Sequence, residues 1–194
     1  MYETSDSNIE YITDYIKHLC IAKNPTPTFG KMPGTRYSWQ IQLHKAYYNL
    51  TFLEAVGSEL CRLIDENITD EDRSKGFQLA GPITAAPIML AIASKYKQLQ
   101  SVHLNVFVVR DSRKWYGDNN MLEGIVLDQP VLLVNDLANS TNKYLIAEHA
   151  IKAEKDIEIF DFVAAIMNKT TDPKDKDCGK RIVSIVDKKS IFYE

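Results

Sequence analysis

The chain has 194 residues, 23 Lys and Arg against 26 Asp and Glu, and a net charge of -3. This length suits one well-cored domain and is too short for two large ones, and the acidic balance argues against a general nucleic-acid binder. Hydrophobic residues are 45% and charged residues 25%, no apolar run approaches membrane-spanning length, and the polar, acidic start is not the pattern of a signal peptide.

Ser7 and Glu10 have the spacing of a capping box, and Ile9, Ile12, Ile16, Leu19 and Cys20 recur at helical spacing. They predict a first amphipathic helix over 8–22. Asn24 to Gly34 carries three prolines and two glycines, which predicts a loop whose only charge is Lys31. Residues 36–43 alternate loosely through Tyr37, Trp39 and Ile41. They read as a short strand, either a plain edge or part of a hood over the body. Thr51 and Glu54 repeat the capping-box spacing, and Leu53, Val56, Leu60, Leu63 and Ile64 predict a second helix ending near Asn67. The charged stretch 65–75 reads as a solvated connection.

The rhythm then changes. Phe77 to Ala80 predicts a short strand, Gly81 to Thr84 a turn, and Pro87 the first turn of a helix whose apolar face is Ile88, Met89, Ile92, Ala93 and Tyr96. A strand over 102–109 and a long polar connection over 110–124 follow. Val131 to Val134 is a short apolar run without alternation, the mark of a strand buried on both faces, with Asn135 and Asp136 where such a strand should end. Asn139, Ser140, Thr141 and Asn142 are turn and capping types, and a helix should continue through Leu145, Ile146, Ala150 and Ile151. A strand over 157–167, a charged loop over 168–180 and a last strand over 182–186 complete the chain.

Strands alternating with helices imply an α/β fold, a mostly parallel twisted sheet flanked by helices, in a single domain over 1–194 with a small N-terminal hood at 24–45. Ligands of such sheets sit at the carboxyl ends of the strands. Three polar turns emerge there, 81–86, 110–124 and 135–142. The last joins a buried strand to a helix start, so free N–H groups and hydroxyls face a common point suited to a phosphate, with Asp136 beside it for sugar hydroxyls or magnesium. Plain capping and turn chemistry would use the same residues. Cys20, Cys61 and Cys178 are too far apart for a disulfide framework or a metal motif, so a reducing cytoplasm is expected. The four histidines show no ligand spacing.

These stretches resemble the type I phosphoribosyltransferases, and within them the orotate branch. The family's signature is an apolar strand, two acidic residues, two apolar residues and a threonine- and glycine-bearing phosphate loop. Here it reads Val131-Leu132-Leu133-Val134, Asn135-Asp136, Leu137-Ala138, Asn139-Ser140-Thr141-Asn142. Gly81 to Ile88 is similar to the family's pyrophosphate loop. Arg110 to Gly117, closing with Glu123-Gly124, is similar to the mobile loop of the orotate enzymes. The segment around Lys31 resembles their hood, and 181–192 their last strand and helix.

The resemblance implies transfer of ribose 5-phosphate from phosphoribosyl pyrophosphate to a nucleobase, orotate first, with Mg2+ carried by the substrate and no metal ligand of the protein's own. It implies Lys114, Asp136 and Arg110 as catalytic residues. For substrate binding it implies Asn135, Asn139, Ser140, Thr141, Asn142, Thr84, Lys31 and Tyr116. It further implies a homodimer with neither nucleic acid nor membrane as partner. Asn135 stands for the first acid, Thr141 for a loop glycine, Ala85 and Asp111 for lysines, and Tyr116 for a histidine. These departures keep a second reading open, a protein of the same fold that binds a nucleotide or phosphosugar in a regulatory role.

Overall fold

The computed structural model describes residues 5–29, 36–110, 112, 120–138, 142–170 and 180–192. Its strands are β1 (Ile21–Phe29), β2 (Arg36–Ile41), β3 (Gln78–Gly81), β4 (Asn105–Val109), β5 (Leu122–Glu123), β6 (Val131–Ala138), β7 (Ile159–Asn168) and β8 (Arg181–Asp187). Its α-helices are α1 (Ser5–Tyr15), α2 (Leu50–Asn67), α3 (Asp70–Lys75), α4 (Ala86–Gln100), α5 (Asn142–Glu154) and α6 (Lys188–Phe192). Six strands form one sheet in the order β5-β4-β3-β6-β7-β8, parallel except for the short β4–β5 pair.

The alternation of side chains across each strand divides the core in two. Leu132 and Val134 of β6 and Phe162, Ala164 and Ile166 of β7 point to one face, where Phe52, Leu60, Ile88 and Ile92 of α2 and α4 cover them. Val131, Leu133 and Val163 point to the other face, under Tyr144, Ala147 and Ile151 of α5. β6 is apolar on both faces because both faces are covered. The chain leaves β3 for β4 on one side and returns to β6 on the other, so the strand order reverses between β3 and β6. A crevice at the carboxyl ends of those strands is the expected ligand position.

Several expectations are corrected. The proline-rich stretch after Asn24 is not a loop throughout: β1 runs to Phe29 and pairs antiparallel with β2. The pairing slips between Lys23 and Thr28, so Asn24 to Pro27 lie opposite Ser38 alone. Pro25 and Pro27 fall in that slip, where missing N–H groups interrupt no ladder. The first helix starts earlier than expected and closes in a π-helical turn, Ile16–Cys20. The cap of α2 is Asn49, which accepts from Phe52 N at 3.0 Å, rather than Thr51. Part of the charged 65–75 connection folds as α3 because Thr69 caps it and three acids occupy its first turn.

β4 begins at Asn105 rather than Val102. Ser101 takes a left-handed conformation, and Val102 N–H still caps α4 by donating to Tyr96 O. β6 does not stop at Val134 but continues through Asn135 and Asp136 to Ala138, held by its ladder to the longer β7. On α5 the buried face is Tyr144, Ala147, Ala150 and Ile151, while Leu145 and Ile146 are exposed.

One buried polar group organises the opposite end of the sheet. Gln78, fully buried on β3, donates from Nε2 to Leu127 O (2.7 Å) and Gln129 O (2.9 Å). Its Oε1 accepts from Leu127 N (3.1 Å) and Asn105 Nδ2 (3.0 Å). Gln78→Leu strands these groups without partners and is expected to cost about 2–3 kcal/mol. A fall in the urea midpoint at unchanged slope would report it; a wild-type midpoint would mean that the network adds no net stability.

Candidate functional site

The carboxyl ends of β3, β4 and β6 and the first turns of α5 enclose a cleft lined by Gly81, Pro82, Arg110, Val134, Asn135 and Ala147, among others. Gly81 makes this crevice possible. A β-carbon there would lie 2.2 Å from Val134 O, so only glycine lets β3 end this close to β6. Thr84 is exposed on the 3₁₀ turn Ile83–Ala85 that follows. Ala85 is fully buried, its methyl 3.3 Å from the place a Gly81 β-carbon would take.

The two polar residues of β6 do different things. Asn135 is buried, and its amide is engaged by its own strand: Oδ1 accepts from Asp136 N (2.9 Å) and Nδ2 donates to Leu137 O (3.2 Å). Both ends of the amide expected in the substrate-binding set are thus used locally. Asp136 is half-buried. Its Oδ1 accepts from Leu137 N (2.8 Å) and its Oδ2 from the hydroxyl of Tyr47 (3.1 Å). Tyr47 sits on the 3₁₀ turn Leu43–Tyr48 between β2 and α2. Burial, then the adjacent carboxylate, push its hydroxyl well above the ordinary tyrosine range, so it stays a proton donor.

Arg110, expected in the catalytic set, lines the cleft but pairs with Glu123 across the β4–β5 hairpin at 2.5 Å. Its backbone N–H also donates to Met121 O (2.8 Å), a second contact between the end of β4 and the residue before β5. Asn142 opens α5, four positions beyond the last residue of β6. Lys114, Tyr116, Asn139, Ser140, Thr141 and Lys31 lie outside the described residues. Among the described residues no group of three or more His, Cys, Asp or Glu side chains is placed to hold a metal. Cys20 and Cys61 are buried free thiols, and no described helix is long and apolar enough to cross a membrane.

One cation at this edge was read as part of a charged loop. Lys169 follows β7, and its N–H donates to Ala138 O at 2.8 Å, beside the end of β6. Its ammonium lies 5.0 Å from the centre of the Trp39 ring, which rests on Phe192 at 4.3 Å. Burial, then the charge of Lys188, lower its pKa. Its signal was the one used for Asp136: a polar residue directly after a buried parallel strand. Tyr47 had no such signal, because it is 89 positions from its partner and sits in no polar turn.

No family model matches the chain, and no curated protein matches it in sequence. Solved structures do match. Orotate phosphoribosyltransferase of Mycobacterium tuberculosis H37Rv, in complex with Fe(III) dicitrate, superposes with a TM-score of 0.69 at 21% identity, covering 95% of this chain and 99% of that one. The fold is that of the type I phosphoribosyltransferases. The same M. tuberculosis enzyme with 5-phospho-alpha-D-ribosyl 1-diphosphate gives 0.62 at 19% identity over 95% and 92% of the two chains. Adenine phosphoribosyltransferase of Thermoanaerobacter pseudethanolicus gives 0.60 at 12% identity over 92% and 99%. The phosphoribosyltransferase fold is therefore present over nearly the whole chain. At the end of β6 this chain carries Asn135, which bonds its own backbone, followed by Asp136.

Proposed function

We propose that this protein is a phosphoribosyltransferase that moves ribose 5-phosphate from phosphoribosyl pyrophosphate to a nucleobase, orotate being the first to try. The observation that carries this reading is the placement of Asp136. Asp136 lies near the carboxyl end of β6, beside the strand-order reversal and six positions before α5 begins, with its carboxylate held by Tyr47. A base nitrogen attacks the anomeric carbon as its bond to the pyrophosphate oxygen breaks, and pyrophosphate leaves with the bonding electrons. Asp136 holds the ribose hydroxyls and faces the positive charge that develops on the sugar. The turn 139–142, with the α5 N-terminus, takes the 5-phosphate. Lys114, Arg110 and Thr84 face the pyrophosphate, whose negative charge grows as it departs. Magnesium arrives as part of the substrate. The 110–124 segment excludes water while the sugar cation is exposed. Lys31 and Tyr116 meet the base beneath the 24–45 hood, with Lys169 as a further cation at that edge. Two buried free thiols fit a reducing, cytoplasmic setting.

Calorimetry with magnesium and phosphoribosyl pyrophosphate tests the site. Saturable binding that weakens in Lys114→Ala supports it, and no heat of binding in the wild type contradicts it. The second reading, a nucleotide- or phosphosugar-binding regulator, is favoured by the ion-paired Arg110 and the self-satisfied Asn135. It expects tight binding without turnover.

A homodimer is part of the proposal. Tyr48, Leu50, Ile83 and Leu90 are each more than half exposed. Leu50 and Leu90 line a groove between α2 and α4 that also bears Glu54 and Lys95. In the proposed two-fold pairing of this groove, Glu54 of one copy meets Lys95 of the other. Light scattering at micromolar concentration should give a dimer, and Leu90→Glu a monomer. A monomeric wild type would rule out this pairing.

A further inference from the structure

We propose that Tyr47 is a positioning residue that aims the Asp136 carboxylate at the ribose hydroxyls. The inference rests on the reading of Asp136 as the ribose-binding group. The terminal torsion of an aspartate is soft, so a single hydrogen bond leaves the carboxylate plane free to swing. Asp136 has two bonds of different origin. Leu137 N–H, from its own strand, takes Oδ1, and the Tyr47 hydroxyl, from another element, takes Oδ2. Together they fix the plane of the group. Each carboxylate oxygen accepts more than one hydrogen bond, so both keep capacity for a sugar hydroxyl.

Tyr47 is well placed for this task. Its turn is anchored by buried Leu43 and Ala46 and runs into Asn49, the cap of α2. The other end is tied by Gln42 N–H to Cys20 O at 2.7 Å. Because burial keeps the hydroxyl protonated, it donates throughout the range in which the carboxylate is ionised. The turn follows β2 directly, so the strand that carries Trp39 and the residue that sets the ribose carboxylate share one short segment.

The test is a double-mutant cycle on the full chain, with ribose 5-phosphate and inorganic pyrophosphate as separate calorimetric probes. Tyr47→Phe keeps the ring and removes only the donor, and its melting temperature should stay within a few degrees of wild type. It is expected to weaken ribose 5-phosphate about tenfold, as loss of a hydrogen bond to a charged group does. Pyrophosphate, which does not meet Asp136, should bind unchanged. In the Asp136→Asn background the same change should have less than a threefold further effect, because the group it positions has lost its charge. Equal weakening of both probes, additivity in the cycle, or unchanged ribose 5-phosphate affinity would overturn the role of Tyr47. A wild type that binds neither probe would instead overturn the reading of the site, and the inference with it.

Discussion

Asp136→Ala is expected to lower kcat/KM for phosphoribosyl transfer about 100- to 1000-fold, roughly 3–4 kcal/mol of transition-state stabilisation. Asp136 carries the one carboxylate at the end of β6, since position 135 is an asparagine whose amide bonds its own backbone. No second carboxylate at 135 can take over the developing positive charge. Asp136→Asn separates charge from shape. An asparagine there still accepts from Leu137 N–H, so the strand keeps its local bond while the negative charge is lost. Asp136→Asn should therefore melt near the wild type and differ from it in rate, whereas Asp136→Ala also leaves Leu137 N–H and the Tyr47 hydroxyl without their acceptor. A variant that transfers ribose 5-phosphate at the wild-type rate would show that this carboxylate does not serve the reaction.

Gly81→Val carries the largest structural effect. Its β-carbon would stand 2.2 Å from a backbone oxygen, Val134 O, that cannot swing aside as a side chain can. Either β3 leaves β6 or the turn behind it shifts, and both open the crevice at the point of strand reversal. A cost of about 3 kcal/mol or more is expected, a fall in melting temperature of about 6–12 °C for a chain of this size. Binding of phosphoribosyl pyrophosphate should fall with it. Gly57→Ala is the comparison: its β-carbon would meet Ala91 O at 2.9 Å, between α2 and α4 and away from the cleft. It should lower stability less. A Gly81→Val protein as stable as wild type would mean that β3 and β6 need not approach so closely.

The sheet was legible because its strands are apolar runs with covered faces. Val131 to Val134 announces a doubly buried strand without any knowledge of its neighbours, and the β-α-β rhythm from Phe77 onward implies the parallel order. What the pattern missed depends on partners distant in sequence. β6 continues through two polar residues because β7 offers a longer ladder, and β1 accommodates two prolines because its pairing slips there. At the candidate site, the position of Asp136 after a buried apolar run was readable, and the structure keeps it near the carboxyl end of β6. The role of Asn135 was not, because whether an amide faces a ligand or its own backbone is decided by side-chain torsion. Tyr47 was invisible in the local pattern, since its partner is brought to it only by folding. Lys169 was readable in principle by the rule that found Asp136, but the charges that follow it in sequence gave it the look of a solvated loop.

Phosphoribosyl transfer requires that a base drive the chemistry at this site. The most direct measurement is pyrophosphate release from phosphoribosyl pyrophosphate with magnesium, with and without orotate, uracil and purine bases, with the nucleotide product identified. The expected result is release that depends on one of these bases and yields one nucleotide per pyrophosphate, slower on orotate than in enzymes that keep both acids and both lysines. Tight binding of phosphoribosyl pyrophosphate with no base-dependent release would contradict transfer and leave a phosphosugar-binding protein on the same fold.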